Sequence, residues 1–161
     1  MIDAQTISIV IAAASIVIAT TYYVTIVRNA NRTRQAQLFT QFHSKGMDKE
    51  LIKDMTEINL SWAWKDVDEF FQKYGPETNP DAWAKFVSVW TYYEGVGTLV
   101  KKNLINVEII PEILAIAIVD FWEKIQPVAN QYSQQLRRPQ AFDGTETLYR
   151  KIRRANEPTR T

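Results

Sequence analysis

Two carboxylates in this 161-residue chain are set apart by their neighbours. Glu94 shares a helical face with Phe86, Val87 and Trp90, and Asp120 follows Ile113, Ile116 and Ala117 at the same kind of spacing. A carboxylate on an apolar face must be paired, or its pKa rises until it is neutral. Two such groups turned inward have the chemistry of an acid/base pair or a cation site. More often they hold two helices together by accepting from hydroxyls, lysines or backbone amides. That structural role, as a pair of buried carboxylates, is the one expected of Glu94 and Asp120.

The remaining chemical inventory is thin. His43 is the one histidine and cysteine is absent, so no thiolate nucleophile or thiolate metal site exists. There is no H-x-x-H, no HExxH and no EF-hand spacing. Gly95-Val-Gly97 lies inside a helical pattern rather than after a strand, which argues against a phosphate loop. No catalytic, cofactor-binding or metal-ligating residue is therefore assigned, and the protein is expected to work without a cofactor and not as an enzyme.

The elements that would carry these residues read as helices throughout. Five glycines and six prolines punctuate the chain, and the apolar runs repeat with a helical period. Gly46 ends one pattern, and Asp48 is placed to cap the next, which carries Leu51, Ile52, Met55 and Ile58. A short helix follows Asp66. Asn79-Pro80 reads as an N-cap followed by a proline at the first helical position, opening a helix to about Lys102. Residues 107–125 form another, Gln126-Pro127 is expected to restart the chain, and a basic helix runs from about Gly144 to Ala155. The uncharged run Ile113–Val119 is too short to cross a bilayer and is expected to be a buried core helix.

The first segment is different in kind. Residues Ala4 to Val27 hold no charged side chain, and Arg28, Arg32 and Arg34 follow at once. About 20 apolar residues in a helix match a hydrocarbon core of ~30 Å. The Ile, Val and Thr content favours strand in water, but a lone strand in lipid leaves its backbone groups unpaired, so a helix is expected. A cleaved signal peptide would need a basic start and small residues at its end. This segment has Asp3 before it and Tyr22, Tyr23 and Val24 near its end. The expectation is a retained anchor, oriented by Arg28, Arg32 and Arg34 with the N-terminus outside and the domain in the cytoplasm at the plasma membrane. Ser8/Ala12 and Ser15/Ala19 form small-xxx-small pairs that let another helix approach.

Charge is unevenly distributed beneath the net +1. Residues 1–53 carry six Lys/Arg against three Asp/Glu, residues 54–123 five against twelve, and residues 124–161 eight against three. The basic ends are suited to an anionic lipid surface, and equally to pairing with the acidic middle. Five Trp, seven Tyr and seven Phe supply a large aromatic core. Trp62 and Trp64, two residues apart, would lie on different faces of a helix, so one of them is a candidate partner contact.

Several segments carry a resemblance. Arg34-Gln-Ala-Gln-Leu-Phe39, Trp62-Ala-Trp-Lys-Asp66, Phe71-x-x-Tyr-Gly-Pro-Glu77, the run from Tyr93 to Ile105 and Phe121-Trp-Glu-Lys124 resemble an uncharacterised family of small prokaryotic proteins. That family is known only as a domain of unknown function, with one N-terminal membrane helix and a helical cytoplasmic domain. The resemblance covers most of the chain after the anchor and implies that architecture, with no activity to carry over.

The expected protein is thus all-α: one transmembrane helix, then a compact bundle of about five helices. Residues 1–33 form the anchor and basic strip, 34–156 the domain, and 157–161 a frayed tail. Its expected role is a scaffold or accessory subunit acting through protein contacts at the membrane. The alternative is a small regulator signalling through self-association of the anchor. The expected partners are membrane lipid and another membrane or membrane-associated protein, or a second copy; nucleic acid is not among them.

Overall fold

The computed structural model describes residues 3–156, so the expected fraying of residues 157–161 lies outside the described residues. Six α-helices and no strand occur among the described residues. The chain divides into two compact units, one ending at Phe39 and one beginning at Thr40.

The first unit is helical from Ala4, in helix α1 (Ala4–Gly46), whose last turns belong to the second unit. Its large apolar side chains from Ile7 to Val27 are all exposed. Ser15, Thr20, Thr21 and Thr25 donate their hydroxyls to the carbonyl four residues back, each at 2.8 Å. Those four hydroxyl hydrogens then need no water. By length and composition this helix can cross a membrane, and a signal sequence passes the same test. Ser8, Ala12, Ser15 and Ala19 fall on one stripe of it, because steps of three and four residues nearly close full turns.

The second unit holds α2 (Lys49–Thr56), α3 (Val67–Tyr74), α4 (Pro80–Lys101), α5 (Glu112–Gln135) and α6 (Asp143–Asn156). The expected caps are present. Asp48 accepts from the amides of Glu50 and Leu51 at 3.1 Å, Asp66 from Glu69 at 2.8 Å, and Asn79 from Ala82 at 3.1 Å. Each satisfies amides that the first turn of a helix leaves unpaired.

Three expectations are corrected. Helix α5 does not restart at Pro127 but runs through it to Gln135. Proline removes one backbone bond and crowds the preceding turn, at about 3 kcal/mol. Ile125, Val128 and Ala129 are buried on either side of it, and their burial offsets that cost. The run Ile113–Val119 is helical, but only Ile118 is buried within it, while Ile113 and Ile116 are exposed. Finally, α2 passes into a π turn at Glu57–Ser61 and the backbone is extended at Trp62, so the premise of helical faces for Trp62 and Trp64 does not hold.

The core lies around α4. Phe86, Val89, Tyr93, Val96 and Val100 are buried along it, against Phe70 of α3, Phe121 and Ile125 of α5, and Leu148 of α6. Phe86 contacts Phe70 at 5.5 Å and Phe121 at 6.1 Å between ring centroids, and Tyr93 meets Phe121 edge-on at 5.1 Å. Trp90, expected in the core, is only half-buried; it stacks on Phe142 at 4.2 Å.

One core group is under strain from its own polarity. The Tyr93 hydroxyl is buried with no hydrogen-bond partner among the described residues. Burial, then the Tyr92 hydroxyl and the Asp120 charge, hold its pKa well above the ordinary value. The unfolded chain ionises this phenol near pH 10 while the folded protein keeps it neutral. That contribution to stability is intact below pH 10 and is lost as pH rises further. Tyr93→Phe is expected to raise stability by about 1 kcal/mol at neutral pH, by removing an unsatisfied buried hydroxyl. It should also flatten the alkaline decline, and a urea-unfolding series from pH 7 to 11 checks both.

Candidate functional site

The Glu94 carboxylate is half-buried on α4 and faces the start of α6. Phe142 opens that helix, its carbonyl accepting from the Glu146 amide at 2.9 Å, and its side chain offers no acceptor for the following amides. Glu94 supplies one from another helix. Its Oε1 accepts from the Gly144 amide at 2.8 Å; its Oε2 accepts from the Thr145 amide at 2.9 Å and the Thr145 hydroxyl at 2.8 Å. A negative charge at this end also opposes the helix dipole favourably.

The close approach that permits this depends on two glycines. A Cβ on Gly97 would overlap the Gly144 carbonyl, and one on Gly144 would lie 2.6 Å from the Glu94 carbonyl. Lys101 pairs with Asp143 one turn further along. Lys151 Nζ donates to the Val100 carbonyl at 3.2 Å. These groups clamp α6 to α4. Glu94 is therefore fully engaged in structure, with three donors on two oxygens.

Asp120 is placed otherwise. It is exposed, not buried, because α5 turns this face to solvent, and it does not meet Glu94. No hydrogen bond or ion pair engages its carboxylate among the described residues. The acid/base pair that the two residues would have made is not assembled. No group of three or more His, Cys, Asp or Glu suited to a metal occurs among the described residues.

Trp62 and Trp64 both pack into one aromatic cluster. Trp62 is buried, stacks on Tyr74 at 4.0 Å and 2°, and donates its Nε1 to Glu57 at 3.2 Å. Trp64 is half-buried, edge-on to Phe70 at 4.9 Å, with Lys124 Nζ 5.3 Å from its ring centroid. Trp62 is thus a core residue, and Trp64 keeps one partly open face.

Lys124 fixes the π turn. Its Nζ donates to the Ile58 carbonyl at 2.7 Å and the Asn59 carbonyl at 2.9 Å, acceptors that the widened turn exposes. Burial pulls its pKa below the usual lysine value. The Asn59 side chain reaches α5 as well, donating Nδ2 to the Ala117 carbonyl at 3.0 Å. Lys124 and Asn59 together set the π turn beside α5.

Between them lies an apolar groove of about 320 Å³. Met47, Ile52, Met55 and Leu60 line one side, Ile113, Ile116 and Ala117 the other, and Asn59 and Asp120 supply polar groups. Leu60 and Ile113 are 78% and 75% exposed, which is costly for side chains of this size unless something covers them. The volume is at the lower end of ligand sites, roughly 300–1,000 Å³. None of this was anticipated from the sequence. The period of Ile113, Ile116 and Ala117 marks an apolar face but carries no sign of which neighbour covers it.

The model of the family called DUF4760, a domain of unknown function, matches residues 4–152. The chain belongs to that family. Membership covers both units and brings no reaction with it. No curated protein and no solved structure matches the chain.

The geometry at Glu94 separates a cap from a catalyst. Glu94→Gln replaces one accepting oxygen by a donor that meets the α6 amides, and a loss of about 1–2 kcal/mol is expected. Glu94→Ala leaves all three donors unpaired and opens a cavity, for about 3 kcal/mol. Urea midpoints of the two variants check the order; equal stability of both with the parent would show that Glu94 holds nothing.

Proposed function

We propose that the protein is a single-pass, membrane-anchored helical scaffold or accessory subunit that acts by binding another protein. The apolar stretch of α1 lies in the plasma membrane, the N-terminus is outside, and the domain is cytoplasmic. Arg28, Arg32 and Arg34, all exposed on α1 just after the apolar stretch, support that orientation. Membrane lipid is then one partner, through α1 and the basic residues beside it.

The observation that carries the interaction role is the groove. The domain leaves Leu60, Ile113 and Ile116 open to solvent around one cleft. Exposed apolar side chains gathered in this way mark contact surfaces. The second reading, a regulator that works by self-association of the anchor, is supported by the stripe of Ser8, Ala12, Ser15 and Ala19.

Because Ile113 and Ile116 are exposed, Ile113→Lys together with Ile116→Asp is expected to change stability by no more than about 0.5 kcal/mol per site. The double variant, solubilised gently from membranes, should lose the proteins that accompany the parent at fixed stoichiometry. Retention of those companions, with the melting temperature unchanged, would remove the groove from the interaction. A cytoplasm-active reporter fused after the domain should be functional in the same cells, and a periplasm-active one silent.

A further inference from the structure

The groove carries information about what fills it, and the inference drawn from it rests on the interaction role proposed above. One wall is a helical ridge: on α5, Ile113, Ile116, Ala117 and Asp120 follow at i, i+3, i+4 and i+7. The facing wall is made by Ile52 and Met55 of α2 with Asn59 and Leu60 of the π turn. Between the two walls lies a trough into which the side-chain ridge of another helix fits.

The donors of the trough are already used, the Thr56 hydroxyl by the Ile52 carbonyl at 2.8 Å and the Asn59 amide by Ala117. The Asp120 carboxylate is exposed, with no hydrogen bond or ion pair among the described residues. Lys124, one turn further on, is directed to the Ile58 and Asn59 carbonyls instead. Asn59 gives its Nδ2 to the Ala117 carbonyl, which fixes the orientation of the amide. Its Oδ1 is left buried and unpaired. Ala117 and Asp120 are one turn apart on α5, so these two acceptors belong to the same part of the groove.

We infer that the groove binds an amphipathic helix of a partner protein that carries an Arg or Lys beside its apolar stripe, the cation closing on Asp120. The apolar face of such a helix covers Leu60, Ile113 and Ile116 in the helix-in-groove mode. Its cationic N–H groups meet the exposed Asp120 carboxylate in a charge-assisted pair. A lipid tail would cover the apolar walls and bring no cation to Asp120. A second copy pairing groove to groove would bring two Asp120 carboxylates and no Lys or Arg of the lining into the contact, which like charge disfavours.

The test uses the full chain in phosphatidylcholine nanodiscs, with empty discs as background. The probe is a fluorescein-labelled helical peptide of about four turns, with Leu at i, i+3, i+4 and i+7 and a single Arg one turn beyond. Binding is expected to weaken at least ~10-fold when that Arg is replaced by Glu. Asp120→Asn should remove the preference and Asp120→Arg should reverse it. Ile116→Asp should abolish binding of both peptides, with the circular-dichroism melt unchanged in every variant. Equal binding of the Arg and Glu peptides would overturn the cationic partner while leaving the apolar groove as a contact surface. Binding of neither peptide would overturn the inference, and the co-purification result above would still judge the interaction role separately. A disc-embedded dimer that Ile116→Asp dissolves would identify a second copy as the occupant and overturn it too.

Discussion

The first amides of α6 depend on one carboxylate of α4. A helix that begins at an apolar residue such as Phe142 has no side chain of its own to satisfy its first amides, and leaving them buried and unpaired costs about as much as a hydrogen bond each. Glu94 resolves this from across the interface with both oxygens, and Gly97 and Gly144 let the backbones come close enough for it to do so. The same contact brings Phe142 onto Trp90 and buries Leu148 and Ile152. With α6 in place, Glu123 of α5 receives Arg153 at 2.7 Å and Tyr149 at 3.2 Å, tying the third helix of this layer to the other two.

On the other side of the domain the organising group is a cation. Lys124 holds the carbonyls of the π turn and lies beside Trp64, so the Trp62–Trp64 segment packs against α3 rather than continuing α2. The groove is a consequence. A π turn carries the chain off the α-helical path, and the side chains of Leu60 and Ile52 are left facing Ile113 and Ile116 across a gap that no element of the described domain closes. The α4–α6 clamp is thus closed and internally satisfied, while the α2–α5 side is open, apolar and short of donors. The proposed contact role belongs to the open side.

Much of the secondary structure was legible, because local chemistry decides it. Asp48, Asp66 and Asn79-Pro80 are caps by residue type alone, and Gly46 ends a helix where the pattern says it should. Pro127 misled because a local rule was outweighed by the burial of Ile125, Val128 and Ala129, which only the tertiary structure supplies. Trp62 and Trp64 misled for a related reason: their spacing has meaning only on a helix, and the π turn ends the helix before them. Glu94 was legible as a carboxylate on an apolar face, and its partners were not, since Gly144 and Thr145 lie 50 and 51 residues away. Asp120 sat on an equally apolar run, yet nothing in the sequence distinguishes a face covered by a neighbour from one left open. Asp143 is the capping-type residue the sequence offers there, but it lies inside the helix and pairs with Lys101, so the acceptor for the first amides comes from Glu94.

Amide hydrogen exchange on the full-length protein tests the clamp most directly. If Glu94 holds the α6 N-terminus within the cooperative core, the Gly144 and Thr145 amides should exchange only through global unfolding, as slowly as Tyr93 in the middle of α4. Exchange of those two amides as fast as that of the exposed Lys49 at the start of α2 would contradict it, and would mean that α6 is a loosely attached appendage.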